Sequence, residues 1–213
     1  FTQGRVYGEG VYSNDAEKRV LFPLMLGALG KAFHNKLCLC IEFSDLSSKM
    51  FGYRDFRQHG YFPISWIHIH NSLHSLAPEE RLSEQLLRNI DKGYNAGIIT
   101  READNDDEIL EFHKMLKNYY RFKFHRYIPS PSFFLQLTKS QYGRVYVTLR
   151  HEKVIGGSAV VYSGSNAYLW FVASRRKSHP VIHPDVLTVW HAIKASADDG
   201  RRHIYFMNVG LPF

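Results

Sequence analysis

The chain has 213 residues, 45% of them hydrophobic and 22% charged, with 27 Lys and Arg against 20 Asp and Glu and a pI near 9.4. These values exclude a disordered or fibrous chain and suit one large or two small domains with a buried core. The excess of +7 favours anionic partners such as phosphates, nucleotides, tRNA or the face of an anionic membrane, and a merely basic soluble surface is the equally open reading. Cys38 and Cys40 lie two apart on a predicted strand, a poor geometry for a disulfide, which points to a reducing, cytoplasmic compartment. No apolar run approaches the roughly 18 residues of a membrane span and nothing resembles a signal peptide, so no transmembrane segment is expected. Phe1 without Met and the stop at Phe213 are read as cut ends.

Taken in order, Gly8 and Gly10 lack the full spacing of a phosphate loop and an ensuing helix, so they are read as a turn. Residues 19–26 are apolar and predicted extended, because Pro23 argues against a helix interior. Residues 37–43 form a nearly continuous apolar strand, as if covered on both faces. Residues 45–60 read as a short helix with Gly60 as its stop, then 62–70 as a strand. His59, His68, His70 and His74 lack the spacing of a metal site, and no metal is expected. Residues 78–96 read as one helix, with Leu82, Leu86, Ile90 and Tyr94 on a stripe and Gly97 as its stop.

A second unit starts at Gly97. Residues 98–102 are a strand, and Asn105 caps a helix whose stripe is Ile109, Phe112, Leu116 and Tyr119 or Tyr120. It runs out into residues 121–127, where Lys123 and Arg126 alternate with aromatic residues. They either hold a phosphate beside a stacked base or sit as cations on a helix C-terminus. A shorter helix over 129–140 precedes strands at 144–150, 154–162 and 167–172, an antiparallel meander. The basic turn Arg175-Arg-Lys177 then leads to a helix over 184–199, with Val186, Trp190, Ile193 and Ala197 as its apolar stripe. A strand over 203–207 follows, so strand, helix and strand make a βαβ unit.

This element order is that of the GNAT N-acetyltransferase fold. Residues 82–97 resemble the helix that joins the two halves of FemAB-like proteins. Gly156-Gly157 with its flanks, the strand Tyr168-Leu-Trp-Phe171, the stretch from His183 to Gly200, and Phe56-Arg-Gln-His-Gly-Tyr61 are similar to other parts of that family. The resemblance implies an α+β protein with a tandem GNAT-like fold, its mixed, mostly antiparallel sheet flanked by helices. Residues 1–96 would be a partial first half ending in a connecting helix, and 97–213 a second half truncated at its C-terminal end. It also implies an enzyme: an acyl or aminoacyl group passes from aminoacyl-tRNA or acyl-CoA to an amine, in cell-envelope, peptidoglycan or polysaccharide metabolism. Two departures stand out. The turn before the helix at 184 has prolines where acetyl-CoA enzymes carry glycines, as in the FemAB branch. Residues 129–133 lack the Arg-Ser-x-x-Tyr of peptidoglycan-ligating members.

Arg175, Arg176 and Lys177 are the first candidates for anion binding, because they precede a helix N-terminus. Lys123 and Arg126 are the second. His183 is the candidate general base, kept neutral by the positive helix end, with a capping or packing imidazole as the other reading. Tyr168 and Trp170 are candidates to line the cleft, and Asn208 and Gly210 lie just past a strand's carboxyl end, where ligands sit in α/β sheets. No grouping supports covalent catalysis. An acetyl-CoA-dependent N-acetyltransferase and a non-catalytic binding module on the same fold are the alternatives, and peripheral contact with an anionic membrane is a further expectation.

Overall fold

A computed structural model describes residues 2–44, 51–64, 69–121 and 127–207. The chain divides into two compact units, Phe1–Ser65 and Trp66–Phe213. The boundary expected at 96/97 falls inside the second unit, because the helix before it packs on the second unit's own elements.

In the first unit, strands β1 (Thr2–Tyr7) and β2 (Cys38–Ser44) pair in parallel, joined by helix α1 (Asp15–His34). The extended reading of residues 19–26 is overturned, since they lie within α1. Asn14 accepts the Glu17 N–H at 2.9 Å, capping the start. Phe22 and Leu26, one turn apart, are fully buried, and Phe22 meets Phe43 and Phe56 edge-on at 6.3 and 5.2 Å. Aromatic burial therefore outweighs the one hydrogen bond that Pro23 removes. Gly8 and Gly10 take positive φ, as a turn requires, but a helix does follow them. β2 is not covered on both faces: Leu39 is 70% exposed. Of the helix expected over 45–60, α2 covers Tyr53–Gln58 and ends before Gly60, Gly52 stands at its N-cap, and residues 45–50 lie outside the described residues.

In the second unit, six strands run in the order β3-β8-β7-β6-β5-β4. β3 is Ile69–Ser72, β4 Ile98–Glu102, β5 Gly143–Arg150, β6 Lys153–Ser163, β7 Asn166–Ser174 and β8 His203–Phe206. All neighbours are antiparallel except β7 and β8, which run parallel through helix α6 (Pro184–Asp198). The meander and the βαβ unit stand where the sequence places them. Of the strand expected over 62–70, residues 62–64 are not strand, 65–68 lie outside the described residues, and β3 pairs with β8 over residues 69–72. The helix expected over 78–96 is two elements. A 3-10 turn (Pro78–Arg81) comes first, then helix α3 (Glu84–Asn95), because Leu82 is extended and the Ser83 hydroxyl caps Leu86 N at 3.3 Å.

Three layers result. Helices α4 (Asp106–Tyr120) and α5 (Pro131–Lys139) cover one face through Phe112, Phe134 and Phe171. α6 covers the other, and α3 packs outside it with Ile90 against Leu187 and Trp190. The apolar stripe expected on α6 is only partly right. Thr188, Ala192 and Ser196 are fully buried beneath it, whereas Val186, Ile193 and Ala197 are half-buried. Small residues face the sheet because the approach is close: a Cβ on Gly156 would stand 2.3 Å from the Thr188 hydroxyl.

Candidate functional site

Two β-bulges lie at one end of the second unit's sheet. On β6, Thr148 pairs with Gly156 and Leu149 with Val154, which leaves Ile155 as the extra residue. On β7, Phe171 pairs with Ala159 and Leu169 with Val160, which leaves Trp170 extra. The β7–β8 ladder stops at Leu169↔Phe206, one residue before that bulge, while β7 runs on to Ser174. A bulge bends its strand. β7 is therefore bent beside the carboxyl end of β8, the end of a parallel pair where ligands of α/β sheets enter, and residues 208–213 beyond it lie outside the described residues.

The basic turn closes this end. Arg175 N donates to the bulged Ile155 carbonyl at 2.7 Å, and Ile182 is buried against Ile155 and Leu187, so the loop is pinned at both ends. Arg175 pairs with Glu111 of α4 at 3.6 Å and Arg176 with Asp185 at 3.3 Å, while Lys177 is exposed on the 3-10 turn between them. An incoming anion would have to exchange with these two carboxylates. The α6 terminus offers little main chain to such an anion: Pro184 has no N–H, and the N–H groups of Val186 and Leu187 already donate to the His183 carbonyl at 3.0 and 3.3 Å.

His183 is half-buried at the N-cap with φ 43° and ψ 62°, and its side chain makes no capping bond. A left-handed residue directly before proline is unfavourable by about 1–3 kcal/mol and persists where its surroundings hold it. The holding group is Thr188, which donates to the Pro184 carbonyl at 2.7 Å and accepts from Thr148 of β5 at 2.7 Å. Tyr168 is buried and stacks on Tyr205 at 5.0 Å. Trp170 is half-buried between Phe133 at 5.8 Å and Phe171 at 5.6 Å. Lys123, Arg126, Asn208 and Gly210 lie outside the described residues.

Beside Phe133, a pocket of about 390 Å³ opens between α4 and the start of α5, lined by His113, Lys117, Tyr120, Arg121, Ser130 and Pro131. His113 is buried and donates Nε2–H to the Pro129 carbonyl at 3.0 Å. Sequence reasoning missed this pocket, and it missed Glu111 and Asp185 as partners of the arginines. Only the acidic first turn of α6 hinted at Asp185, and Glu111 is far from Arg175 in sequence. It also missed a polar cluster under α6. The Tyr146 and Tyr162 hydroxyls meet at 2.9 Å, burial raises both phenol pKa values, and burial lowers that of His191, whose ring lies 5.1 Å from Tyr146. Among the described residues no His, Cys, Asp and Glu group could hold a metal.

The family model for the Acetyltransferase (GNAT) domain matches residues 80–212, more than half of the chain. Sequence comparison with curated proteins gives no match. Among solved structures, the C-terminal domain of a protein described as a lysylphosphatidylglycerol synthetase from Agrobacterium fabrum superposes with a TM-score of 0.61 at 11% identity, covering 98% of this chain and 64% of that one. L-PGS from Bacillus licheniformis gives 0.58 at 12%, covering 99% and 65%. FemX gives 0.58 at 9%, covering 95% and 71%. The chain thus spans just under two thirds of the first two, and at these identities the likeness concerns the fold.

Proposed function

The chain belongs to the GNAT acetyltransferase domain family, and on that premise we propose that it transfers an acyl or aminoacyl group to an amine in cell-envelope metabolism. The observation that carries this reading is the β7 bulge at Trp170, at the carboxyl end of the parallel β7–β8 pair, followed by a loop bearing Arg175, Arg176 and Lys177. The structural likeness to FemX and to the two lysylphosphatidylglycerol synthetases supports the aminoacyl form.

In this mechanism the donor's phosphates meet the three cations, displacing Glu111 and Asp185. The acceptor amine enters from the α4–α5 pocket, where Lys117 and Arg121 suit an acidic acceptor. His183 takes the amine proton as nitrogen attacks the acyl carbon. The tetrahedral oxyanion then collapses, expelling the tRNA hydroxyl or the CoA thiolate. Because the α6 terminus is short of available N–H groups, phosphate contact falls to side chains. That favours aminoacyl-tRNA as donor over acetyl-CoA, and a cytoplasmic reaction, with the acceptor presented in solution or at an anionic membrane surface. No described helix is long and apolar enough to cross a membrane.

Calorimetry and thermal shift with charged tRNA and with acetyl-CoA test the reading. A ligand at a hundred times its Kd stabilises the fold by about 2.7 kcal/mol. The expected result is tRNA binding whose log K falls steeply with log salt, by roughly 0.7–0.9 per phosphate neutralised. Arg175→Ala with Arg176→Ala should flatten that slope. His183→Asn should leave donor binding intact and slow transfer about 10²–10⁴-fold. Binding of acetyl-CoA alone would replace this reading with an acetyl-CoA-dependent N-acetyltransferase, and binding without turnover would make the chain a ligand-binding module.

A further inference from the structure

At the other end of the β7–β8 pair, two arginines and three imidazoles gather around the amino end of β8, and among the described residues none of the five makes an ion pair with a carboxylate. β3 sets His70 opposite Tyr205, its ring stacked on that phenol at 5.1 Å and 5.7 Å from the ring of His203. The turn after β3 brings His74 to 5.1 Å from His203. A run of hydroxyls extends the group. Arg81 donates to Ser75 Oγ, Ser75 meets Ser72 at 3.3 Å, and Ser72 meets His74 Nδ1 at 3.2 Å. Arg202 precedes His203 in the chain, is exposed, and its carbonyl lies 3.0 Å from His74 Nδ1.

Arg81 and Arg202 make no ion pair among the described residues, in contrast to Arg88, Arg101, Arg144, Arg175, Arg176 and Arg201. The nearest acids in sequence do not balance them. Glu79 is engaged with Lys194 at 3.1 Å, Asp199 with Arg201 at 2.7 Å, and Glu80 is exposed on the 3-10 turn. Partial burial, then the charges of His74, His70 and Arg202, hold the His203 imidazole below its ordinary range. Such like-charge crowding costs stability unless an anion relieves it.

The hydrogen bonds also fix which nitrogen would gain a proton. His74 Nδ1–H donates to the Arg202 carbonyl at 3.0 Å, and His203 Nδ1–H to Asn166 Oδ1 of β7 at 3.3 Å. In both rings the neutral form keeps Nε2 as an acceptor. A further proton turns Nε2 into a charged donor, so each imidazole repels a bound anion when neutral and grips it when charged.

We propose that Arg81, Arg202, His70, His74 and His203, with the Ser72 and Ser75 hydroxyls, form a binding site for a phosphate group, either the free ion or a small phosphomonoester, taken up together with protons. Arginine forks and hydroxyls are the usual donors to phosphate oxygens. The site lies at the amino end of β8, away from the carboxyl ends of the β7–β8 pair, and does not depend on the acyl-transfer reading.

The test follows the imidazole proton resonances of the full chain against pH, in chloride and then with inorganic phosphate, phosphoserine or sulfate at matched ionic strength. Sulfate keeps its charge across this range and separates protein titration from ligand titration. Each anion should raise the midpoints of His70, His74 and His203 but leave those of His113 and His191 in place. Sulfate affinity should rise as pH falls, by up to about tenfold per pH unit for each proton taken up. Arg81→Gln with Arg202→Gln should abolish the shifts while its melting curve confirms the fold. Should that variant not fold, Arg202→Lys must keep the shifts but weaken binding. Binding of phosphate without phosphoserine would assign the site to the free ion, and the reverse to a monoester. Midpoints unmoved at saturating anion, or moved equally by chloride, would overturn the site.

Discussion

The two units solve burial differently. In the second, a six-stranded sheet is covered by helices on both faces, and Phe112, Phe134, Leu187 and Ile204 are almost wholly shielded. In the first, the fully buried large side chains among the described residues are Phe22 and Leu26, while Val20 and Leu24 of the same helix are each 65% exposed. A dense core enforces helix and strand periodicity along the whole sequence. A sparse one lets a few aromatic contacts decide, and a proline can then sit inside a helix.

The largest effect expected sharpens this contrast. Phe112→Ala and Phe22→Ala should each cost about 3–5 kcal/mol within their own unit. Hydrogen exchange should show loss spread over β5–β7 and α5 in the first case, and confined to α1, α2 and β2 in the second. A uniform loss for Phe22→Ala across β5–β7 would break the comparison. Pro23→Ala restores a helical N–H and should protect α1 by up to about 3 kcal/mol. No gain would mean that the ring packs well enough to offset its missing bond. Gly156→Ala drives a methyl toward Thr188 and should cost roughly 1–3 kcal/mol in urea unfolding. A neutral result would show that α6 can move off the sheet. Asn105→Ala removes the cap that Glu108 N donates to at 3.0 Å, for about 1 kcal/mol.

The smallest effect is read through pH. Arg101 grips Glu108 through two bonds of 2.9 and 2.7 Å, and that bonding lowers the Glu108 pKa. A lowered carboxyl stabilises the fold above its unfolded value, near 4.3, and loses that contribution as pH falls through the folded one. Glu108→Gln should therefore flatten the acid limb of the stability curve by up to about 1 kcal/mol. An unchanged limb would assign acid lability to other groups.

Most of the second unit was legible in the sequence because its elements obey local rules. Asn105 caps α4, Ile109, Phe112 and Leu116 line one face, and the 163–166 and 151–153 turns join antiparallel strands. What was illegible depended on distance. Thr188, Ala192 and Ser196 do not look like a buried stripe until Gly156 and Thr148 lie beneath them. Ser83 ended the 3-10 turn by a cap that the apolar period of 82–94 conceals. In the candidate site the positions of Arg175, Arg176 and Lys177 before a helix were readable. Their engagement with Glu111 and Asp185, and the bulges at Ile155 and Trp170, belong to tertiary structure alone.

The extra residue at Trp170 also sets the reading frame of β7. Tyr168 lies on the α4–α5 face, and so does Phe171, three positions on, where strict alternation would put it on the opposite face. Deleting Trp170 would remove the bulge and, because Phe171 would then follow Leu169 directly, leave Phe171 on the α4–α5 side by simple alternation. It would also take out the bend that the bulge puts into β7. A single-codon deletion is thus expected to straighten the strand without turning its faces over, whereas Trp170→Ala keeps the bulge and loses only the indole between Phe133 and Phe171.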